Sequence, residues 1–213
     1  MCGRFALYSS FQAIKDYADL LSEINNFEAN YNVAPGQMIP VIYQNRLEKL
    51  RWGLIPFWAK DEKIGYKLIN ARAETIDEKG SFKFAFQKRR CLIPANGFFE
   101  WRKLDKQPFY FFLPDREIIT FAGIWETWKS PEGKIHKTCS IITTQPNEIV
   151  KPIYSRMPVI LSRNDEKNWL ENNDADLLKK LLKPYSADEM YSIAVLKDVG
   201  SVKNNYPELI ETI

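Results

Sequence analysis

Apolar and polar positions follow two rhythms along this chain. From Phe11 to Leu21 the apolar side chains recur at helical spacing. Phe11, Ile14, Tyr17, Ala18 and Leu21 share one face, and Ser9 or Ser10 can cap a helix running to about Ile24. Asn32-Val33-Ala34-Pro35-Gly36 then reads as a turn entering a pair of strands at 38–43 and 47–53, joined through Gln44-Asn45-Arg46. Gly53-Leu54-Ile55-Pro56-Phe57-Trp58 is expected as an apolar loop, because its proline interrupts pairing. Asn70-Ala71-Arg72-Ala73-Glu74 reads as a loop entering a helix, and 80–88 as a partly basic helix.

Beyond residue 89 the rhythm shortens. Runs rich in β-branched and aromatic residues predict strands at 90–94, 97–102, 108–113, 118–125 and 137–144, with the polar stretch 129–136 as a hairpin tip. Helical segments are expected at 145–150, 163–172 and 174–182, and a late strand at 190–196. No repeat, low-complexity tract or linker divides the chain. The pattern therefore predicts one α+β domain over 1–213, mainly antiparallel sheet with peripheral helices.

Composition narrows the chemistry more than the class. The chain has 213 residues, 45% apolar and 27% charged, as an ordinary folded domain does. A single His (His136) and three unclustered Cys (2, 91 and 139) supply no ligand set for a structural zinc, so no metal and no cofactor is expected. Any triad would have to use His136, which falls in the predicted hairpin tip. Cys91 and Cys139 read as buried thiols in strands. No signal-type or membrane-length apolar run occurs, which predicts a cytoplasmic protein without a membrane partner.

The net charge of +3 conceals an uneven distribution: residues 51–104 carry 12 basic and 6 acidic side chains. That segment also holds Trp52, Trp58 and Trp101, and positive charge beside aromatic rings is what single-stranded nucleic acid requires.

Cys2 carries the most chemistry. Residue 2 is small enough for the initiator Met to be removed, which would leave an α-amine and a thiol on adjacent carbons. The amine has a reference pKa of about 7.7–8.0, so part of it is neutral at pH 7 and can attack an aldehyde. The thiol can then close on the imine, giving a thiazolidine that an internal cysteine cannot form.

A series of words surrounds this residue. Cys2-Gly3-Arg4-Phe5, Asn32-Val33-Ala34-Pro35, Arg51-Trp52-Gly53-Leu54-Ile55-Pro56-Phe57-Trp58 and Asn70-Ala71-Arg72-Ala73-Glu74-Thr75 come first. Arg90-Cys91-Leu92-Ile93-Pro94-Ala95-Asn96-Gly97-Phe98-Phe99-Glu100-Trp101, Phe121-Ala122-Gly123-Ile124-Trp125, Thr143-Thr144 and Arg156-Met157-Pro158 follow. In content and order they resemble the SOS response-associated peptidase (SRAP) family, from Cys2 to roughly Leu161.

The resemblance implies a barrel-like core and an activity on abasic sites in single-stranded DNA, with the terminal cysteine forming a thiazolidine crosslink to the ring-opened sugar. It implies Cys2 as nucleophile, Asn70 as the amide that positions the sugar, and Glu100 as acid and base. Arg4, Arg72 and Arg156 would hold phosphates, while Pro35 and either Trp52 or Trp58 would stack or wedge against bases. One position departs from the family pattern. A His is usual two residues before the Arg of Arg-Met-Pro, and Tyr154 stands there, a poor base at pH 7. The expected partner is single-stranded DNA with abasic sites, and the expected state is a monomer. Two other readings stay open: a non-covalent single-strand-binding module, and an N-terminal-nucleophile cysteine peptidase or amidohydrolase. Met1 could be removed by the protein itself or by an aminopeptidase.

Overall fold

Strands β4 (Met38–Tyr43) and β5 (Arg46–Trp52) form the predicted hairpin, and Gln44 and Asn45 at its tip take the positive φ of a tight turn. They belong to a computed structural model that describes residues 2–18, 21–22 and 26–213. Ahead of them come β1 (Phe5–Leu7), α1 (Phe11–Ala18), β2 (Leu21–Ser22) and β3 (Asn30–Val33). After them come β6 (Asn70–Arg72), α2 (Lys83–Lys88), β7 (Arg90–Ala95), β8 (Gly97–Trp101), β9 (Pro108–Phe112), β10 (Ile119–Lys129) and β11 (Ile135–Thr144). The chain ends with β12 (Met157–Pro158), β13 (Ile160–Leu161), α3 (Arg163–Glu171), α4 (Ala175–Leu181) and β14 (Tyr191–Ala194).

Five strands close into a ring. β5 runs antiparallel to β4, β4 to β7, β7 to β10 and β10 to β11, and β11 returns to β5. An odd ring cannot alternate direction throughout, so one pair must be parallel. That pair is β11 with β5, where Thr138 faces Arg51 and Cys139 faces Trp52. The seam continues through the Gly53 N–H, which donates to Cys139 O at 2.9 Å. Gly53 has φ +127°, and a Cβ there would stand 2.8 Å from Gly65 O, so only glycine fits.

A second sheet, in the order β14-β9-β8-β1-β3, packs on this ring. Period-two alternation places Phe98 and Glu100 of β8 on one face and Phe99 and Trp101 on the other. Phe98 stacks on Phe111 and meets Phe121 of the ring, while Phe5 packs on Trp52 at 5.3 Å. The opposite face, with Phe99 and Tyr110, is covered by Val195, Val199 and Leu209 from the carboxy-terminal segment. The α+β class with mainly antiparallel sheets, a barrel-like ring and few helices is as expected.

Several local expectations need correction. Helix α1 ends at Ala18 rather than Ile24, and Leu21–Ser22 pairs in parallel with β5; residues 19–20 and 23–25 lie outside the described residues. Asn70–Arg72 is a strand, not a loop, because β11 offers it a parallel edge from Ile141 to Thr143. Residues 145–150 form no helix: Pro146 and Pro152 bracket a turn that Asn147 holds by accepting the Val150 N–H at 3.0 Å. Strands β1, β12 and β13 are too short for any periodicity to announce them.

Arg90 shows how the helices are fixed to the ring. Its guanidinium is buried and binds only backbone carbonyls: Phe86 and Gln87 at the end of α2, and Trp169 and Asn172 at the end of α3. Both helix ends carry partial negative charge, which the cation satisfies. Replacing Arg90 by Ala strands those carbonyls, and the expected loss is on the order of 3 kcal/mol or more. Urea unfolding of the Arg90→Ala protein checks it; an unchanged midpoint would show that the clip is dispensable.

Candidate active site

The pairing of β1 with β8 delivers the amino terminus to Glu100. Phe5 lies opposite Phe98, Ala6 opposite Gly97, and the Phe99 N–H donates to Arg4 O at 2.9 Å. Continuing that register leads the residues before Arg4 along Glu100 and Trp101. Cys2 is fully buried there. Burial, and then the charge of Glu100, raise its thiol well above the usual range, against a small opposing pull from the Arg4 backbone N–H. The thiol is therefore held protonated and shielded from solvent.

Glu100 follows from the alternation of β8: it shares the inward face with Phe98 and is 3% exposed. Burial pushes its carboxyl up to about 8, so it is mostly protonated at neutral pH yet able to ionise. Tyr154 feels the same carboxyl. Its phenol is raised by burial and by the charge of Glu100, which fixes it as a hydrogen-bond donor rather than a base. Cys2, Glu100 and Tyr154 thus lie within electrostatic reach of one another, although they come from widely separated parts of the chain.

Asn70 opens β6, which pairs with β11 at the edge of the ring. Its Nδ2 reaches Ile141 O at 3.5 Å, and its Oδ1 is buried with no hydrogen-bond partner. The preceding carbonyl, of Ile69, accepts from Trp52 Nε1 at 2.9 Å, and the Trp52 ring packs on Phe5. Trp52 thereby links the Asn70 strand to the Cys2 strand. It is fully buried in doing so and offers no ring face to a ligand, which corrects its place among the residues that could stack on a base. Trp58, by contrast, is 51% exposed. Pro35 is half-buried in a turn stitched to Trp52 by the Gly36 N–H donating to Trp52 O at 2.7 Å.

The three arginines differ. Arg4 is held by neutral oxygens of Asn32 and Val199. Arg72 is exposed. Arg156 is gripped by Glu74 through two bonds of 2.6 and 2.9 Å, and also donates to Thr143 O. The hydrogen bonds from Arg156 hold the Glu74 carboxyl below its usual range. The Nε atoms of Arg4 and Arg156, like Asn70 Oδ1, are buried without partners. Neither Asn32 nor Glu74 was assigned a part by their motifs. The words that contain them were legible, but their partners lie far away in sequence. His136 is not in the hairpin tip: it stands on β11 against Trp128, at 5.5 Å. Cys91 and Cys139 are buried free thiols, as expected.

The site is thus a buried residue-2 thiol within electrostatic reach of a buried, proton-bearing carboxyl. The chain belongs to the SOS response associated peptidase (SRAP) family, whose model matches residues 1–202. It is 51% identical to the abasic site processing protein YoqW of Bacillus subtilis over the full length of both. It is 28% identical to the abasic site processing protein HMCES of Gallus gallus, covering all of this chain and 78% of that one. The fold recurs in a crystal structure of a Bacteroides thetaiotaomicron protein, with a TM-score of 0.93 and 30% identity over the whole of both chains. Among the described residues no helix is long and apolar enough to cross a membrane.

Proposed function

We propose that this protein captures abasic sites in single-stranded DNA through a covalent thiazolidine link to Cys2, after removal of Met1. The observation that carries the reading is the burial of Cys2 beside Glu100, a carboxyl poised near neutrality. The names borne by its relatives, abasic site processing proteins, agree with it.

The chemistry closes on itself. Removal of Met1 turns the Cys2 nitrogen from an amide into an amine, which adds to the C1′ aldehyde of the opened sugar. Glu100 gives its proton to the carbinolamine hydroxyl, water leaves, and an iminium–carboxylate pair remains. The carboxylate then takes the thiol proton, sulfur bonds to C1′, and nitrogen keeps the released electron pair as a secondary amine. Glu100 ends protonated, as it began. Asn70, with an unused acceptor, would receive a sugar hydroxyl. Trp58 and Pro35 would flank the bases, Arg4 and Arg72 would meet phosphates, and Arg156 would do so by exchanging Glu74 for a phosphate. Capturing C1′ removes the carbonyl that acidifies the neighbouring proton, so the strand is protected from β-elimination.

Incubation with an abasic single-stranded oligonucleotide should yield a heat- and SDS-stable shifted band, and an intact oligonucleotide none. Salt-sensitive binding without such a band would replace the proposal with a non-covalent module. Amide hydrolysis with indifference to DNA would replace it with a peptidase.

Tyr154 supplies a prediction of its own. A phenol raised above its usual range donates a hydrogen bond but does not shuttle protons at pH 7. Tyr154→His should change the rate of crosslinking or of release, measured by quenched gel time courses. Rates equal to those of the native protein would remove Tyr154 from the mechanism.

A further inference from the structure

No motif claims the segment after β14, yet it reaches the amino terminus. Arg4 Nη1 donates to Asn32 Oδ1 and to Val199 O, both at 2.6 Å. Asn32 is 1% exposed, and its Nδ2 donates to Ser201 O at 2.9 Å and to Asn204 O at 2.8 Å. Both ends of the amide are therefore engaged, and its rotamer is fixed by the carboxy-terminal segment. The acceptors that hold Arg4 are neutral. Its Nε is buried without a partner, and among the described residues no hydrogen bond engages Nη2. Arg156 makes the contrast: there a carboxylate grips the guanidinium and cancels its charge.

We propose that Asn32 is a positioning residue for Arg4: with the carbonyls of 199–204 it fixes the guanidinium, two residues along the chain from Cys2, while leaving its charge available for a phosphate of the bound strand. This rests on the reading of single-stranded DNA capture given above. The choice of an amide matters physically. An Asp at position 32 would accept the same hydrogen bond but neutralise the cation, and a phosphate would then have to displace a carboxylate. The device also gives the carboxy-terminal segment a part in the site beyond covering Phe99 and Tyr110.

The test compares the native protein with Asn32→Asp and Asn32→Ala. Anisotropy with a single-stranded oligonucleotide carrying a reduced, aldehyde-free abasic sugar reads non-covalent binding across a salt series. Crosslinking rate at saturating aldehyde DNA and thermal melting are read in parallel. Asn32→Asp should weaken binding by roughly tenfold at low salt and flatten the log–log salt slope by about 0.7, the loss of one phosphate contact on a single strand. Asn32→Ala keeps the charge but frees the guanidinium, so its salt slope should match the native one while its saturated crosslinking rate falls several-fold.

A native salt slope in a folded Asn32→Asp protein overturns the proposal. Unfolding of both variants does so too, by assigning Asn32 to architecture alone. A native protein that binds the reduced DNA but never crosslinks defeats the thiazolidine reading, and the salt slopes still decide on Asn32.

Discussion

Cys2→Ala is expected to abolish the SDS-stable band completely while leaving binding to abasic single-stranded DNA within about twofold. Alanine is also small, so Met1 would still be removed and the α-amine would still form. What disappears is the sulfur that closes the ring. The variant can therefore make only an imine, which hydrolyses on heating. Borohydride should restore a band by reducing that imine, and this separates the amine's part from the thiol's. The side chain is small and buried, so the expected cost in stability is on the order of 1 kcal/mol, too little to unfold the protein. A stable band from unreduced Cys2→Ala would place the crosslink on another residue and sink the proposed chemistry.

The second large effect falls on Glu100. Glu100→Gln keeps the shape and loses the proton exchange, and general acid–base contributions of this kind are worth about 10²–10⁴ in rate. Crosslinking time courses at pH 7 should show a loss in that range. The same variant should behave distinctively in stability. The Glu100 carboxyl is raised by burial from 4.5 to about 8 in the folded protein. Between those values the native state keeps a proton that the unfolded chain has released, so stability falls as pH rises through the window. Below about 4.5 both states are protonated, and above about 8 both are ionised, so the group contributes no further slope.

Each tenfold change in proton affinity between the folded and unfolded chain is worth about 1.4 kcal/mol, so the buried acid burdens the native state by several kcal/mol at pH 8.5. Glu100→Gln has no such group. It should match the native protein near pH 5 and exceed it by several kcal/mol at pH 8.5, read from denaturant midpoints. A native protein that gains stability relative to Glu100→Gln as pH rises would show that the carboxyl is depressed rather than raised. Activity lost and stability gained in one substitution is what a site holding an unfavourably buried acid predicts.

The sequence by itself determined the long strands, the hairpin at Gln44-Asn45 and the helices at 163 and 175, because alternation, turn residues and caps act over a few neighbours. Ser162 and Asp174, for example, cap α3 and α4 with their own side chains. It also determined the family, through the words around Cys2, and it singled out residue 2 as the one position where removal of Met1 would leave amine and thiol together. Tertiary structure decided the rest. Asn70–Arg72 became a strand only because β11 presented an edge to it, and the ring closed only where Gly53 let β5 meet β11 in parallel. Trp52 and Trp58 read alike in the chain, but packing against Phe5 removed the first from any surface. Arg4 and Arg156 are the same side chain in similar words, and a neutral amide at 32 or a carboxylate at 74 makes one charged and the other compensated. Glu100 is an ordinary carboxylate in sequence; burial between two sheets raises its carboxyl to about 8. Local rhythm is written in neighbouring residues, whereas burial and charge depend on partners a hundred positions away, which no window on the sequence contains.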